Sequence, residues 1–142
     1  MSWYVENLFR NSTSIREGIM ESSNAISVLN TESDLYMDLL SVESTFKKLC
    51  DQNLVKFFDK RIVEFLSSGL SIEEVAEKVG VARTTIVKKF STVCSRIAFV
   101  LGDNFSDLGY INYMKEKYKL TDEEVDRALE FMKSSSRRVI VN

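Results

Sequence analysis

Hydrophobic positions recur along this chain at helical intervals. From Ser12 to Leu29, the residues Ile15, Ile19, Ile26 and Leu29 keep a heptad-like spacing, with Ser22 in the missing slot. "NTESD" follows, offering Thr31 as an N-cap with acidic residues in the first turn. Leu35, Leu39, Val42, Phe46 and Leu49 then recur at alternating steps of four and three. Two adjacent seams of this kind predict a helical hairpin or a self-association element. Packing of each stripe onto the central helices is an equal reading of the same spacing.

The next stretch, "NLVKFFDKRIVEFLSS" at 53–68, predicts an amphipathic helix with Leu54, Phe57, Phe58, Ile62, Phe65 and Leu66 inward. Gly69 stops it as a C′ glycine does. Ser71 opens another helix, Glu74 three residues on completes a capping box, and Leu70 and Val75 occupy the staple positions. After Gly102, "DNFSDLGYINYMKEKYK" predicts a helix with Phe105, Leu108, Ile111 and Met114 inward. Thr121 with Glu124 makes a second capping box for a last helix running to Ser134 and burying Val125, Leu129 and Met132. The tail "SSSRRVIVN" is polar, then basic, then β-branched, a loose end or a short strand that pairs with a partner.

Composition fixes the class. There is no proline and there are only five glycines, so the helical spacings meet few breakers and the chain reads as an all-α helical bundle. A hydrophobic content of 44% allows a real core. The organisation expected is an N-terminal helical segment at 1–50, a central unit at 51–102 and a C-terminal extension at 103–142.

The formal net charge of −2 conceals an uneven distribution. Residues 1–46 carry two basic against seven acidic side chains, residues 47–102 ten against six, and residues 103–142 seven against eight. A basic centre beside an acidic N-terminal third suits a localised nucleic-acid footprint and argues against nonspecific coating of DNA.

Candidate chemistry narrows the field further. With no histidine, and with two cysteines 44 positions apart (Cys50 and Cys94), the chain lacks the commonest general base and a zinc site of its own. No phosphate-binding Gly-rich loop and no G-x-S-x-G occurs. The expectation is a protein that is not an enzyme and takes no cofactor or metal. "MSWYVENLF" is too short and too acidic for a signal sequence, and no run is apolar enough for a membrane span. The chain therefore reads as cytoplasmic, with no membrane partner and with reduced, buried thiols. Trp3 and Tyr4 read as cover for a core edge.

One motif concentrates the functional signal. In "SIEEVAEKVGVARTTIVKKF", residues 71–90, Ala76 is a small residue where two helices can cross closely, and Gly80 lies four positions on. Val75, Val79 and Val81 bracket the turn, and Ile86 and Phe90 anchor the second helix. Ala82 stands where such motifs usually carry Ser or Thr, which weakens that cap by about 1 kcal/mol.

"LSIEEVAEKVGVARTTIVKKF" resembles the helix-turn-helix of the fourth region of bacterial sigma factors. It is similar to the sigma-like domains of phage late-gene activators as well, and "GVARTTIVKKF" resembles the turn of tetracycline-repressor-type regulators. The resemblance covers about residues 53–98. It implies a three-helix unit that binds double-stranded DNA with its last helix, 83–101, in the major groove.

The residue chemistry leads the same way. No Asp or Glu occurs from Val81 to Gly102, whereas Arg83, Lys88, Lys89 and Arg96 are basic. With Ile86, Phe90, Val93, Ile97 and Leu101 toward a core, the opposite face carries Arg83, Thr84, Val87, Lys88 and Ser91, with Thr85 beside them. Arg83 can pair bidentately with guanine, and Thr84 or Val87 can touch a thymine methyl group. Lys88 and Lys89 suit phosphates. Tyr110, Tyr113 and Tyr118, interleaved with lysines, read as a mixed helix surface instead.

Three functions compete. A sequence-specific transcription regulator, of viral or mobile-element type, needs a dimer or a second DNA-bound partner, because one such unit reads only a few base pairs. The stripes within residues 12–50 would supply that homodimer; a sigma-like mode would instead dock the acidic third on RNA polymerase. A viral small-terminase-type packaging subunit predicts a large oligomer with loose sequence preference. A protein-interaction module predicts no retention on DNA at moderate salt.

Overall fold

The helix at the centre of the molecule is the one that carries the basic motif. In the computed structural model, which describes residues 2–17, 32–102, 105–127 and 130, seven helices occur. They are α1 (Trp3–Arg10), α2 (Ser12–Glu17), α3 (Glu32–Asp51), α4 (Phe57–Ser67), α5 (Ile72–Val79), α6 (Arg83–Leu101) and α7 (Asp107–Tyr118). A further helical turn spans 122–127. The described residues are all-α, without a strand. No described helix is long and apolar enough to cross a membrane.

Helix α6 packs against α1, α3, α4 and α5. Its buried side chains Ile86, Phe90, Val93, Cys94, Ile97 and Ala98 recur at steps of three and four, so one face is entirely inside. The core they meet is one continuous cluster drawn from α1, α3, α4 and α5. The N-terminal segment and the central unit expected from the sequence therefore share it.

No helix is predicted at α1 from the sequence, yet α1 lies at the heart of that core. Trp3, Tyr4, Val5, Leu8 and Phe9 are all buried, with Tyr4 and Val5 at 0% exposure. Eight residues make a marginal helix in water, so burial holds it: each large apolar side chain removed from water contributes about 1.5–3 kcal/mol. Trp3 and Tyr4 are thus core residues in full. Phe9 meets the rings of Phe46 and Phe90 at centroid separations of 5.6 and 6.2 Å. The Tyr4 ring lies 5.9 Å from that of Phe105, and the Tyr4 hydroxyl donates to Asp38 on α3. Buried Asn7 satisfies its side chain by donating to the Trp3 carbonyl at 2.8 Å.

The α3 stripe is committed to this core. Leu35, Leu39, Val42 and Leu49 are buried and Phe46 is half-buried against the cluster, while Tyr36, Met37 and Leu40 are exposed. Of the two readings of that seam, the residues described here show core packing. Ile15 on α2 is buried as well. Ile19, Ile26, Leu29 and Thr31 lie outside the described residues, as do Leu129, Met132 and the tail, and so do the side chains of Leu108, Tyr110, Tyr113 and Met114.

The helix expected over 53–68 begins four residues late. Asn53 takes a left-handed φ of 60° and ends α3 in a Schellman motif: Asn53 N–H donates to Cys50 and Leu54 N–H to Leu49. Leu54 is therefore a capping residue and not part of α4. It stays 53% exposed, Phe57 stays 71% exposed, and Val63 joins Ile62 and Leu66 inside. The other end is as expected, with a second Schellman pair from Gly69 to Leu66 and from Leu70 to Phe65. The box at Thr121 is formed too, Glu124 N–H reaching the Thr121 hydroxyl at 3.2 Å.

Candidate nucleic-acid interface

Helix α5 is placed by its two ends. At the start, Glu74 N–H donates to the Ser71 hydroxyl and Ser71 N–H to the Glu74 carboxylate, both at 3.1 Å. Those bonds from Ser71 hold the Glu74 carboxyl below the usual glutamate range. At the finish, the Ala76 carbonyl accepts from Gly80 at 2.9 Å and from Val81 at 3.1 Å. Gly80 reverses the chain at φ 74°, ψ 35°, a conformation that glycine adopts without steric cost. Ile72, Val75 and Ala76 are buried beneath the turn, and Val79 and Val81 pack half-buried on the same cluster.

The chain then runs straight into α6. Ala82 is extended and makes no side-chain cap, so only its carbonyl takes part, accepting from Thr85 and Ile86. Ile86 and Phe90 anchor the new helix in the core. Of the scaffold residues expected from the sequence, Ser71 and Glu74 form the box, Gly80 makes the left-handed turn, Val75, Ala76, Ile86 and Phe90 are buried, and Val79 and Val81 are half-buried.

The candidate contact residues divide into three groups. Arg83, Thr84 and Lys88 are exposed in the first turns of α6. Thr85, Val87 and Ser91 are half-buried on its flanks, and Val87 packs against the core cluster. Lys89 and Arg96 are engaged with the protein itself. The Lys89 ammonium lies 3.4 Å from the Asp59 carboxylate and 5.5 Å from the centre of the Phe58 ring, so it faces α4. Arg96 donates to the Leu54 carbonyl, and it sits about 20 Å along the helix from Arg83 at 1.5 Å per residue. The single exposed face expected from the sequence is shorter than its basic residues suggest.

A residue that sequence reasoning did not select completes the site. Glu73 on α5 places its carboxylate 3.2 Å from the Arg83 guanidinium, across the turn. Its position in the first turn of α5 was visible, but nothing local pairs it with a residue ten positions on. Thr92 also lies on the exposed face beyond Lys88 and donates to the Lys88 carbonyl. The result is an outward patch of one guanidinium, one ammonium and neighbouring hydroxyls, on a helix whose far side is locked in the core.

Compared with known proteins, the chain matches no family model, no curated protein and no solved structure.

Proposed function

We propose that this protein is a sequence-specific double-stranded DNA-binding transcription regulator. In this reading α4, α5 and α6 form the DNA-binding unit, and α6 enters the major groove by its first turns. The observation that carries it is the arrangement of Arg83, Thr84 and Lys88: all three are exposed, at the start of a core-anchored helix entered through a left-handed glycine.

Each residue has a role set by its chemistry. Arg83, held by Glu73, offers a planar fork of donors suited to guanine O6 and N7, a pairing worth about 1–3 kcal/mol of discrimination. Thr84 lies beside it for a base edge or a thymine methyl group. Lys88 meets a phosphate and sets register without reading sequence. Glu73 orients Arg83 and repels phosphates that approach out of register.

Selection of bound duplexes from a random pool at near-physiological salt tests the proposal. The wild type is run beside the Arg83→Ala/Lys88→Ala double variant. An enriched motif that the double variant loses is the expected result. Retention without enrichment would move the reading to nonspecific capture, as in a packaging subunit, and no retention would remove DNA altogether.

A further inference from the structure

Helices α3 and α4 both pack against α1 and α6, yet they make little contact with one another. A cleft of about 380 Å³ remains between them, bordered by α2. Its apolar wall is Phe9 of α1, Phe46 of α3 and Val63 of α4. The α3 stripe shows what the cleft leaves open. Leu35, Leu39, Val42 and Leu49 are buried, whereas Phe46, in the same stripe, is only half-buried. Part of an aromatic ring is thus left uncovered inside the fold, and covering it removes further apolar surface from water. Two links set the width of the cleft. The Ser12 hydroxyl on α2 donates to the Ser67 carbonyl at the end of α4 at 2.7 Å, and Arg16 on α2 pairs with Glu43 on α3. Its volume lies in the range of small-molecule sites, about 300–1,000 Å³.

The charges select the ligand. Two carboxylates, Glu43 and Glu64, and one guanidinium, Arg16, line the cleft. Arg16 and Glu43 neutralise one another. Among the described residues Glu64 has no ion-pair partner, and Lys60, one turn earlier on α4, does not line the cleft. The hydroxyls of Ser12 and Ser67 are engaged with one another, 2.9 Å apart. An anion entering the cleft meets an uncompensated carboxylate. A cation is attracted by it and can also lie against the Phe46 ring.

We infer that this cleft binds a small organic cation. The ligand is a primary amine on an aromatic or short aliphatic body, its ammonium toward Glu64 and its body against Phe46 and Val63. Such a ligand bridges α3 and α4, which the fold otherwise joins only through α1, α2 and α6. Binding the folded chain alone, it raises stability with its occupancy. The inference stands on the cleft and is independent of DNA reading.

Phenethylammonium is the probe, with phenethyl alcohol and hydrocinnamate as neutral and anionic counterparts of similar size. Each is titrated into the full chain at neutral pH while the backbone amides are followed by heteronuclear NMR. Phenethylammonium is expected to shift the amides around Phe46 and Val63 saturably at millimolar concentration and to raise the melting temperature. Glu64→Gln changes an exposed position on α4. It is expected to keep its helical circular dichroism and to weaken that binding about fivefold. Glu64→Lys should turn the preference toward hydrocinnamate. Absence of a saturable shift with the amine, or shifts confined to residues away from the cleft, overturns the site. Equal binding of all three probes, or unchanged binding in Glu64→Gln, overturns the assignment of a cation.

Discussion

Glu73 and Arg83 face one another across the turn between α5 and α6, with carboxylate and guanidinium 3.2 Å apart. Both side chains are about half exposed, so the pair contributes at most about 1 kcal/mol to stability. Its consequence lies in direction: it fixes one end of a long side chain at the start of the exposed face. Glu73→Gln is expected to leave urea denaturation within about 0.5 kcal/mol of wild type. In competition binding it should raise affinity for random duplex and narrow the gap to the selected site. An unchanged gap would remove Glu73 from the reading of sequence.

Lys88 and Lys89 are adjacent in sequence and opposed in role. Lys88 points outward, whereas Lys89 is paired with Asp59 on α4. Binding isotherms at several salt concentrations separate them. Lys88→Ala should reduce the slope of log K against log salt by about 0.9, one phosphate contact, and Lys89→Ala should leave it alone. Equal loss of slope in both variants would mean that Lys89 leaves Asp59 on binding.

Helix α1 is a structural keystone, because Trp3, Tyr4, Leu8 and Phe9 sit inside the core that supports α6. Trp3→Ala should cost about 3–5 kcal/mol, read by urea denaturation. In wild type the single tryptophan should emit at short wavelength and shift to longer wavelength on unfolding. A loss under about 1 kcal/mol would show that the core can close without it.

The turn offers a pair of substitutions with opposite sign. Gly80→Ala puts a Cβ on a residue at φ 74°, and should destabilise by about 1–2 kcal/mol although a Cβ there meets no neighbouring atom. Ala82→Ser supplies the cap that α6 lacks and should stabilise by about 1 kcal/mol. Thermal melts of the two variants should move in opposite directions; movement in the same direction would mean that strain and capping are misjudged here.

The Glu74 cap sets a pH dependence. Its carboxyl is held below the usual glutamate range by the bonds from Ser71, so the folded state binds its proton less readily than the unfolded chain does. The contribution is therefore present above the ordinary glutamate value of 4.5 and is lost as pH falls through the lower folded value. The melting-temperature gap between wild type and Glu74→Ala should be wider at neutral pH than at pH about 3. A constant gap would show that the charged form of Glu74 contributes nothing.

Local features were readable before any coordinates. The Ser71–Glu74 box, the left-handed Gly80, the Gly69 stop and the inward stripes of α3 and α6 all depend on residues within about four positions of one another. Helix geometry alone relates residues that close, so their spacing carries the information. Helix α1 does carry a helical pattern, with Trp3, Tyr4, Leu8 and Phe9 on one side and Glu6 and Arg10 on the other, but eight residues are too few for spacing alone to show that the helix forms and lies inside the core. The break at Asn53 was hidden because an apolar run continued across it, with Leu54 and Phe57 in step with a helix they do not both join.

By itself, then, the sequence determined the all-α class, the caps and turns, and which helix carries an uninterrupted basic stretch. Only the tertiary structure decided which of those basic residues look outward. Arg83, Lys89 and Arg96 each find a partner on another segment — Glu73, Asp59 and the Leu54 carbonyl — at separations of 10, 30 and 42 positions. Packing sets those pairings by bringing distant segments side by side, and no local periodicity encodes them. The cleft over Phe46 has the same origin, in how α3 and α4 pack on α1 and α6.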